Sequence, residues 1–350
     1  MKKSVVWYKL RHWEFWPTFM FYLPNIPYAF YLALRAKHLT FFTATNPGIH
    51  NSGDGMESKY ETIQLVPKGF RPKTVLVDIK TPFDVITKKI EEENIAYPLI
   101  VKPDVGFRGL LVKKICTPNE LKEYVTRYPI KLIIQELITL PNECGIFYYR
   151  LPDEQEGKIT SITLKEFSHI IGDGTSTINQ LIQKNNRTNL YYDLLSNLNN
   201  HNLNTVLPKG EKFILNHIGN HCKGTRFVNG NHLISEQLTK TFDKINKQID
   251  GWYFGRIDLK YNSWEELVNG NNFKILEING IISEPTHIYD SENQSYFKAL
   301  KELAKHWKII SKISTINHQI LHFPYTKPKR FIKDMTALKK YVKRIKTLAS

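Results

Sequence analysis

Two short stretches between residues 252 and 290 carry the residue types best suited to chemistry. In GRIDLKY, Asp258 follows Arg256, with Ile257 and Leu259 alternating beside them; in FKILEING, Glu277 and Asn279 flank Ile278. Alternation of apolar and polar residues predicts a strand for each. Side chains two apart on a strand share a face, so Glu277 and Asn279 project together, and an adjacent strand brings Asp258 beside them. Three hard oxygen donors then converge. Such a set suits Mg²⁺ or Mn²⁺, with water and nucleotide phosphates completing the shell. The alternative is two half-buried strands whose acids are solvated or paired with Arg256 and Lys260.

A lysine supplies the complementary charge. In PLIVKPDVGFRG, Lys102 emerges from an apolar run just before Gly106, Arg108 and Gly109. Burying a lysine is costly unless it meets an anion, and the N–H groups of a following glycine loop can cradle phosphate oxygens. Neither GxxxxGK[ST] nor GxGxxG occurs, which disfavours the two commonest nucleotide-binding folds. Lys165, Arg150 and Arg226 are further candidates for phosphate or carboxylate contact, weighed against ordinary surface positions. His287, just beyond the acidic stretch, is a candidate general base or substrate contact, weighed against a packed loop histidine. Asn216, His217, His221 and Cys222 lack the regular paired spacing of a zinc site.

These residues need a scaffold. Strands are predicted at TVLVDI, PLIVKP, LLVKKI and KLIIQELI, with helices at FDVITKKIEEEN and NELKEYVTRY. A second block has strands at CGIFYYR, KITSITLKEF and EKFILNHI, a helix INQLI near the possible cap Thr175 to Asn179, surface helix and loop over 185–204, and a helix over about 235–249. LTFFTATNPGI reads as a strand ending in a turn. Ser58-Lys59 opens a helix through Leu65, and QSYFKALKELAKHWKIISKI is a long last helix.

The two ends are unusual. Residues 1–42 hold 13 of the 43 aromatic residues, and no charged side chain occurs from Phe15 to Leu34. Pro17, Pro24 and Pro27 break any spanning helix there, so the segment suits core packing, a headgroup-level surface or an apolar substrate pocket. From Thr326 to Ser350 nine Lys/Arg stand against one Asp, giving +8 of the chain's +16. Phe331, Met335, Leu338, Val342, Ile345 and Leu348 recur at helical spacing in this tail. A basic amphipathic helix of this kind packs on its own protein, lies on an anionic membrane or touches nucleic acid. With only Phe331 and Tyr341 for base stacking, nucleic acid is not an expected partner.

At 350 residues with ordinary globular composition, the chain can form two or three subdomains. Cys116, Cys144 and Cys222 are odd in number and widely spaced, which argues against a disulfide framework and for a reducing compartment. The start lacks a clean apolar segment of signal-peptide type. A cytoplasmic protein is expected, with peripheral association to the inner membrane face left open.

Taken in order, these signals resemble the ATP-grasp superfamily of carboxylate–amine ligases, which includes D-alanine–D-alanine ligase and glutathione synthetase. The resemblance spans about Glu57 to Asp290. It implies an α+β fold in which two α/β subdomains clamp ATP, and it assigns Lys59 and Lys102 to the nucleotide phosphates beneath a lid containing Gly106, Arg108 and Gly109. IIQELI resembles the hinge that reads adenine, placing Glu136, Leu137 and Ile138 there, and Glu143 falls at the ribose-binding acid. Asp258, Glu277 and Asn279 become the Mg²⁺ ligands, and Arg256 a phosphate or transition-state contact. The family phosphorylates a carboxylate with ATP and lets an amine attack the acyl phosphate. Small-molecule carboxylate and amine substrates are thus the implied partners, with a homodimer left open.

The expected organisation is an aromatic segment over 1–58, a lid-bearing part over 59–140, a metal-bearing part over 141–325 and the basic tail over 326–350. Three departures stand out: Leu110-Leu111 and Arg108 in the lid, a short aromatic segment where the family has a substrate domain, and GIISEPTHIYD after Asn279. The substrate pair therefore does not follow from the resemblance.

Overall fold

The computed structural model describes residues 3–107 and 109–349. Its fold is α+β, built on two antiparallel sheets. The first contains β1 (Thr74–Val77), β2 (Leu99–Pro103), β3 (Lys113–Ile115) and β4 (Leu132–Glu136) in the order β1-β4-β2-β3. Val75, Leu99, Val101, Ile115 and Ile134 pack beneath helices Phe83–Glu92 and Pro118–Arg127 through Ile86, Ile90 and Leu121. Thr117 caps the second of these helices, its hydroxyl accepting from Glu120 N at 3.2 Å. That bond satisfies one of the free N–H groups of the first turn.

The second sheet contains β5 (Asn142–Tyr149), β6 (Lys158–Glu166), β9 (Arg226–Asn229), β10 (Phe254–Tyr261) and β11 (Phe273–Asn279), in the order β11-β10-β5-β6-β9. β7 (His169–Ile171) and β8 (Lys212–Ile214) form a separate small pair. Alternation along the strands divides the larger sheet into two chemically different faces. Cys144, Ile146 and Tyr148 with Ile257 and Leu259 enter a core closed by Leu238, Phe242 and Ile63. The intervening positions, Glu143, Gly145, Arg256 and Asp258, line the cavity or directly adjoin its charged side chains.

The N-terminal segment is helical in short pieces: Lys3–Arg11, Phe19–Tyr22 and Ile26–Arg35, with 3-10 turns at Trp13–Phe15 and Leu23–Asn25. No helix among the described residues is long and apolar enough to cross a membrane. Trp13 and Phe21 pack with Leu303 of helix Tyr296–Gln319, and Leu32 packs with Ile309, Ile310 and Ile313.

The strand expected at LTFFTATNPGI is instead a 3-10 turn, Phe41–Ala44. The long helix supplies the backbone partners that a ladder would have provided. Ser314 donates to the Phe41 carbonyl, and Asn317 Nδ2 donates to the Ala44 and Thr45 carbonyls at 2.8 and 3.1 Å. The strand expected over LLVKKI contracts to β3, because Leu111 turns through the left-handed region at φ 56°.

The tail is a helix, Pro328–Ala349. Its apolar face lies on the protein: Phe331 meets Phe42 at 5.2 Å, Ile345 is buried, and Leu348 joins the core of the first sheet.

Candidate active site

Between the two sheets runs a cavity of about 1130 Å³, lined by residues from β2, β4, β5, β6, β10 and β11. At its centre Asp258 lies directly opposite Glu277 in the β10–β11 register, with a bulge immediately after Asp258. Asn279 Nδ2 donates to Asp258 Oδ2 at 3.0 Å and to Glu277 Oε1 at 3.3 Å. The three residues predicted to converge do so.

Opposed carboxylates repel, so cations gather around them. Lys59 Nζ lies 2.5 Å from Glu277 Oε2. Arg256 places Nε and Nη2 at 3.0 and 2.9 Å from Asp258 Oδ2, the same pairing weighed in the alternative strand reading. Lys165 Nζ bridges Glu143 Oε1 at 2.7 Å and Asp258 Oδ1 at 2.9 Å. Burial works to discharge Lys165, but Asp258 and Glu143 hold it above the usual lysine range. Burial likewise opposes ionisation of Glu277, yet Lys59 and Lys102 keep its carboxyl well below the usual range.

Lys102 differs from these paired cations. It projects from β2 into the cavity, and desolvation lowers its pKa to about 8, with Glu277 opposing and Lys59 reinforcing that shift. Among the described residues it makes no ion pair within 4 Å, and a buried lysine of this kind is best compensated by an anion.

The segments that carry Lys59 and Lys102 are tied together locally. Ser58 caps helix Lys59–Leu65 and also donates to Asp104 Oδ1 at 2.8 Å, while Lys59 N donates to the Asp104 carbonyl at 2.9 Å. Gly106 follows closely, and a Cβ there would come within 2.6 Å of Lys59 Cε. Gly109 also lines the cavity, whereas Arg108 lies outside the described residues.

At the end of the cavity beside β4, Glu136, Leu137 and Ile138 line it with Ile100 and Leu276. Glu136 is itself braced, its carboxylate accepting from Lys73 N at 3.1 Å. Glu143 reaches the cavity beside Lys165.

His287 is not brought to this cluster. It is 1% exposed, packs farther along β6 with Nδ1 at 2.6 Å from Ser161 Oγ, and burial lowers its pKa to about 4. This is the packed loop histidine of the two readings. Arg150 lies over Tyr253, and Arg226 pairs with Glu166 and Glu292; neither reaches the cavity. His221 turns to Glu14, with Nε2 at 2.7 Å from Oε2.

Among the cavity residues that did not stand out in the sequence are Glu284, Tyr22 and Trp307. Of SEPTHIY, Glu284 lines the cavity and His287 does not. The HNSGDG loop is likewise part of the site's frame. Gly53, at φ 84°, packs so closely on Gly280 that a Cβ would fall 2.6 Å from the Gly280 Cα, which fixes the chain just after Asn279.

The donor set fits a hard divalent cation in chemistry. Among the described residues no three His, Cys, Asp or Glu side chains gather for a metal, so the candidate set is two carboxylates and one amide. That is the small complement Mg²⁺ takes from protein when phosphates supply the rest. Asn279 uses its nitrogen here; ligation through its oxygen requires the opposite amide orientation.

Two antiparallel sheets thus enclose a lysine-rich cavity in which two acids face each other. No protein-family model and no curated protein matches the chain. Among solved structures it is similar to the VanG D-Ala:D-Ser ligase of Enterococcus faecalis, at 16% identity and a TM-score of 0.41, over 74% of this chain and 62% of that one. It is also similar to a bifunctional glutathione synthetase from Pasteurella multocida, at 14% identity and a TM-score of 0.41, over 76% and 38% of the two chains. A third is the D-alanine–D-alanine ligase of Bacillus anthracis complexed with ATP, at 13% identity and a TM-score of 0.40, over 73% and 67%. The chain thus spans less than two thirds of the length of the first two.

Proposed function

We propose that the protein is an ATP-dependent ligase that activates a carboxylate as an acyl phosphate and joins it to an amine, or by the same chemistry to a thiol. One observation carries this reading: Lys59, Lys102, Lys165 and Arg256 come from four separate elements and converge on Asp258 and Glu277 inside one cavity with an apolar hinge end. Such a cavity suits a nucleotide, with its base at the hinge and its phosphates among the cations.

A free carboxylate is a poor acyl donor because oxide is a poor leaving group. In the proposed reaction a carboxylate oxygen attacks the γ-phosphorus, the bond to the β–γ bridging oxygen breaks, and ADP leaves. The acceptor nitrogen then attacks the acyl carbon with its lone pair. The C–O bond to the phosphoryl group breaks, inorganic phosphate leaves, and the nitrogen's protons pass to phosphate and solvent. Lys59, Lys102 and Arg256 stabilise the charge on the transferring group and hold it in place; no enzyme nucleophile is needed. Asp258, Glu277 and Asn279 are the residues that would hold Mg²⁺ or Mn²⁺, which when bound supplies further charge neutralisation at the phosphate oxygens.

The test is ADP release with pooled carboxylates and amines, comparing wild type with Glu277→Ala. Turnover that depends on Glu277 supports the reading. ATP binding with no turnover in any pool replaces the ligase with a nucleotide-binding scaffold.

The reading extends to a membrane-proximal or lipid-like substrate on the cytoplasmic side. On helix Ile26–Arg35 the side chains of Ile26, Phe30 and Leu34 recur every fourth residue, with Phe30 at 60% and Leu34 at 77% exposure. Phe19 and Leu23 continue the exposed apolar surface, and Arg35 and Lys37 follow it. Aromatic and aliphatic groups beside cations suit an anionic headgroup layer. Co-sedimentation with anionic vesicles at low salt tests this, and binding unchanged by Phe30→Glu with Leu34→Glu counts against it.

A further inference from the structure

Away from the hinge, the cavity lining changes from charged to apolar. Tyr22 of the N-terminal segment, Ile281 of the loop after β11, and Leu303, Trp307 and Ile310 of helix Tyr296–Gln319 form this end. The rings of Tyr22 and Trp307 stack at 6.2 Å with an interplanar angle of 18°.

One carboxylate stands in this wall. Glu284 Oε1 accepts from the Tyr22 hydroxyl, and Oε2 accepts from the Tyr289 hydroxyl at 2.6 Å. Arg256 approaches it differently: Nη1 donates to the Glu284 backbone carbonyl at 3.2 Å, while Nε and Nη2 are directed to Asp258. Among the described residues no cation lies within ion-pair distance of the Glu284 carboxylate; Arg256 acts on it from farther off, and Lys59, Lys102 and Lys165 line the adjoining part of the cavity.

Two hydroxyl donors occupy about half of the roughly four lone-pair sites of a carboxylate and fix its orientation. A carboxylate oriented in this way, surrounded by aromatic rings, is a receptor for a cation that brings its own N–H donors. An ammonium group meets that description, and the rings of Tyr22 and Trp307 add attraction at their faces. The aliphatic wall then buries an apolar body attached to the nitrogen.

We propose that this end is the acceptor subsite and that the acceptor is a primary amine carried on an apolar body the size of an aromatic ring or larger. Glu284 receives the ammonium and takes one of its protons, which frees the nitrogen's lone pair for attack, and Tyr22, Leu303, Trp307 and Ile310 receive the body. Arg256 joins the subsite to the phosphoryl-transfer centre, since one guanidinium bonds both Asp258 and the Glu284 main chain. The proposal rests on the ligase reading and names the substrate class for it.

Isothermal titration of the full chain with phenethylamine, N-acetylphenethylamine and glycinamide, each with and without ATP, tests the idea in wild type, Glu284→Gln and Trp307→Ala. Saturable phenethylamine binding is expected, weakened about tenfold or more in each variant. The uncharged amide and the small glycinamide should bind at least as weakly as the variants bind phenethylamine. Equal binding of the charged and uncharged ring compounds, unchanged affinity in folded Glu284→Gln, or no amine binding to wild type overturns the proposal. Thermal melts report whether each variant is folded; if Glu284→Gln is not, Trp307→Ala and the uncharged analogue decide. ATP binding measured in the same series separates the two readings. ATP bound without amine removes the acceptor subsite alone, whereas a wild-type chain that binds no ATP removes the ligase reading.

Discussion

Asp258 and Glu277 face each other directly across the β10–β11 pair, and one amide, Asn279 Nδ2, bonds both carboxylates. Like charges in this position destabilise a sheet unless compensated. Compensation comes from three different directions: Lys59 from the helix before the first sheet, Arg256 from the same strand, and Lys165 from β6. The cations that neutralise the acids in this structure thus occupy the positions around which a divalent ion and phosphates would compete.

Removing one of these cations should transfer its task to a metal. Lys165→Met leaves Glu143 and Asp258 buried without their shared partner, and breaking a buried pair from one side costs about 3–5 kcal/mol. The variant should melt well below wild type, and Mn²⁺ without nucleotide should raise its melting temperature more than that of wild type. Equal melting of the two proteins, or no metal effect specific to the variant, would show that Lys165 does not hold this charge balance.

Lys102 gives the site a pH dependence. Its pKa falls from the ordinary 10.5 to about 8, so in the unliganded protein it loses its proton as pH rises through about 8. Between those values the unfolded chain binds more protons than the folded one, and Lys102 makes stability rise with pH across that window. Nucleotide affinity should move the other way, because a phosphate binds the charged form. ATP affinity is expected to fall from about pH 7 to about pH 9, with net proton uptake on binding near about pH 8.5. Titrations in buffers of different ionisation enthalpy measure that uptake, and uptake unchanged in Lys102→Met would assign it to another group.

The arrangement of the centre was legible because it is local in sequence. Period-two alternation places Glu277 with Asn279 and Arg256 with Asp258, and only one strand pairing is needed to join them. The hinge, Lys102 and Lys59 lie in short, strongly patterned segments whose elements formed as expected. The failures involved distant partners. Phe41–Ala44 has strand-like composition, but the side chains of Ser314 and Asn317 bond its carbonyls across more than 270 residues of chain. His287 and Glu284 are three residues apart in one loop, and the turn Thr286–Tyr289 decides that the histidine goes inward and the glutamate to the cavity. Nothing in the local pattern distinguishes them.

The tail helix should stabilise both sheets and the loop after β2. Asn51 Nδ2 donates to Asp334 at 3.0 Å at one end, Leu338 lines the cavity, and Lys346 lies 5.4 Å from the ring centroid of Phe107 in that loop. At the far end Arg344 donates to the Pro129 carbonyl at 3.0 Å. A chain ending at residue 325 should melt at lower temperature and bind ATP more weakly, with faster hydrogen exchange in residues 104–107 and 109–112. If exchange there were unchanged while the melt shifted, the helix would brace the sheets alone.

The aromatic segment should be held to the second sheet's side by a buried ionic cluster whose contribution depends on pH. Glu14 accepts from Arg187 Nη1 at 3.0 and 3.1 Å, from Ser291 Oγ at 2.8 Å, and meets His221 Nε2 at 2.7 Å. Burial alone would raise the Glu14 pKa, but His221 and Arg187 hold it at about 2, below its ordinary 4.5. Burial alone would lower the His221 pKa, and bonding with Cys222 and Glu14 raises it above 6.5. A depressed carboxyl pKa gives stability that is present above about 4.5 and lost as pH falls toward 2. A raised histidine pKa gives stability that is present below 6.5 and lost as pH rises through its folded value. The cluster should therefore contribute most between about pH 4.5 and 6.5. Glu14→Gln leaves Arg187 and a charged His221 without their anion, and the loss should be about 3–5 kcal/mol in that window and smaller at about pH 8.5. Denaturant unfolding of both proteins at the two pH values measures the difference. A gap that is the same at both, or larger in alkali, would mean that His221 is not charged in the folded protein and that Arg187 alone holds the segment.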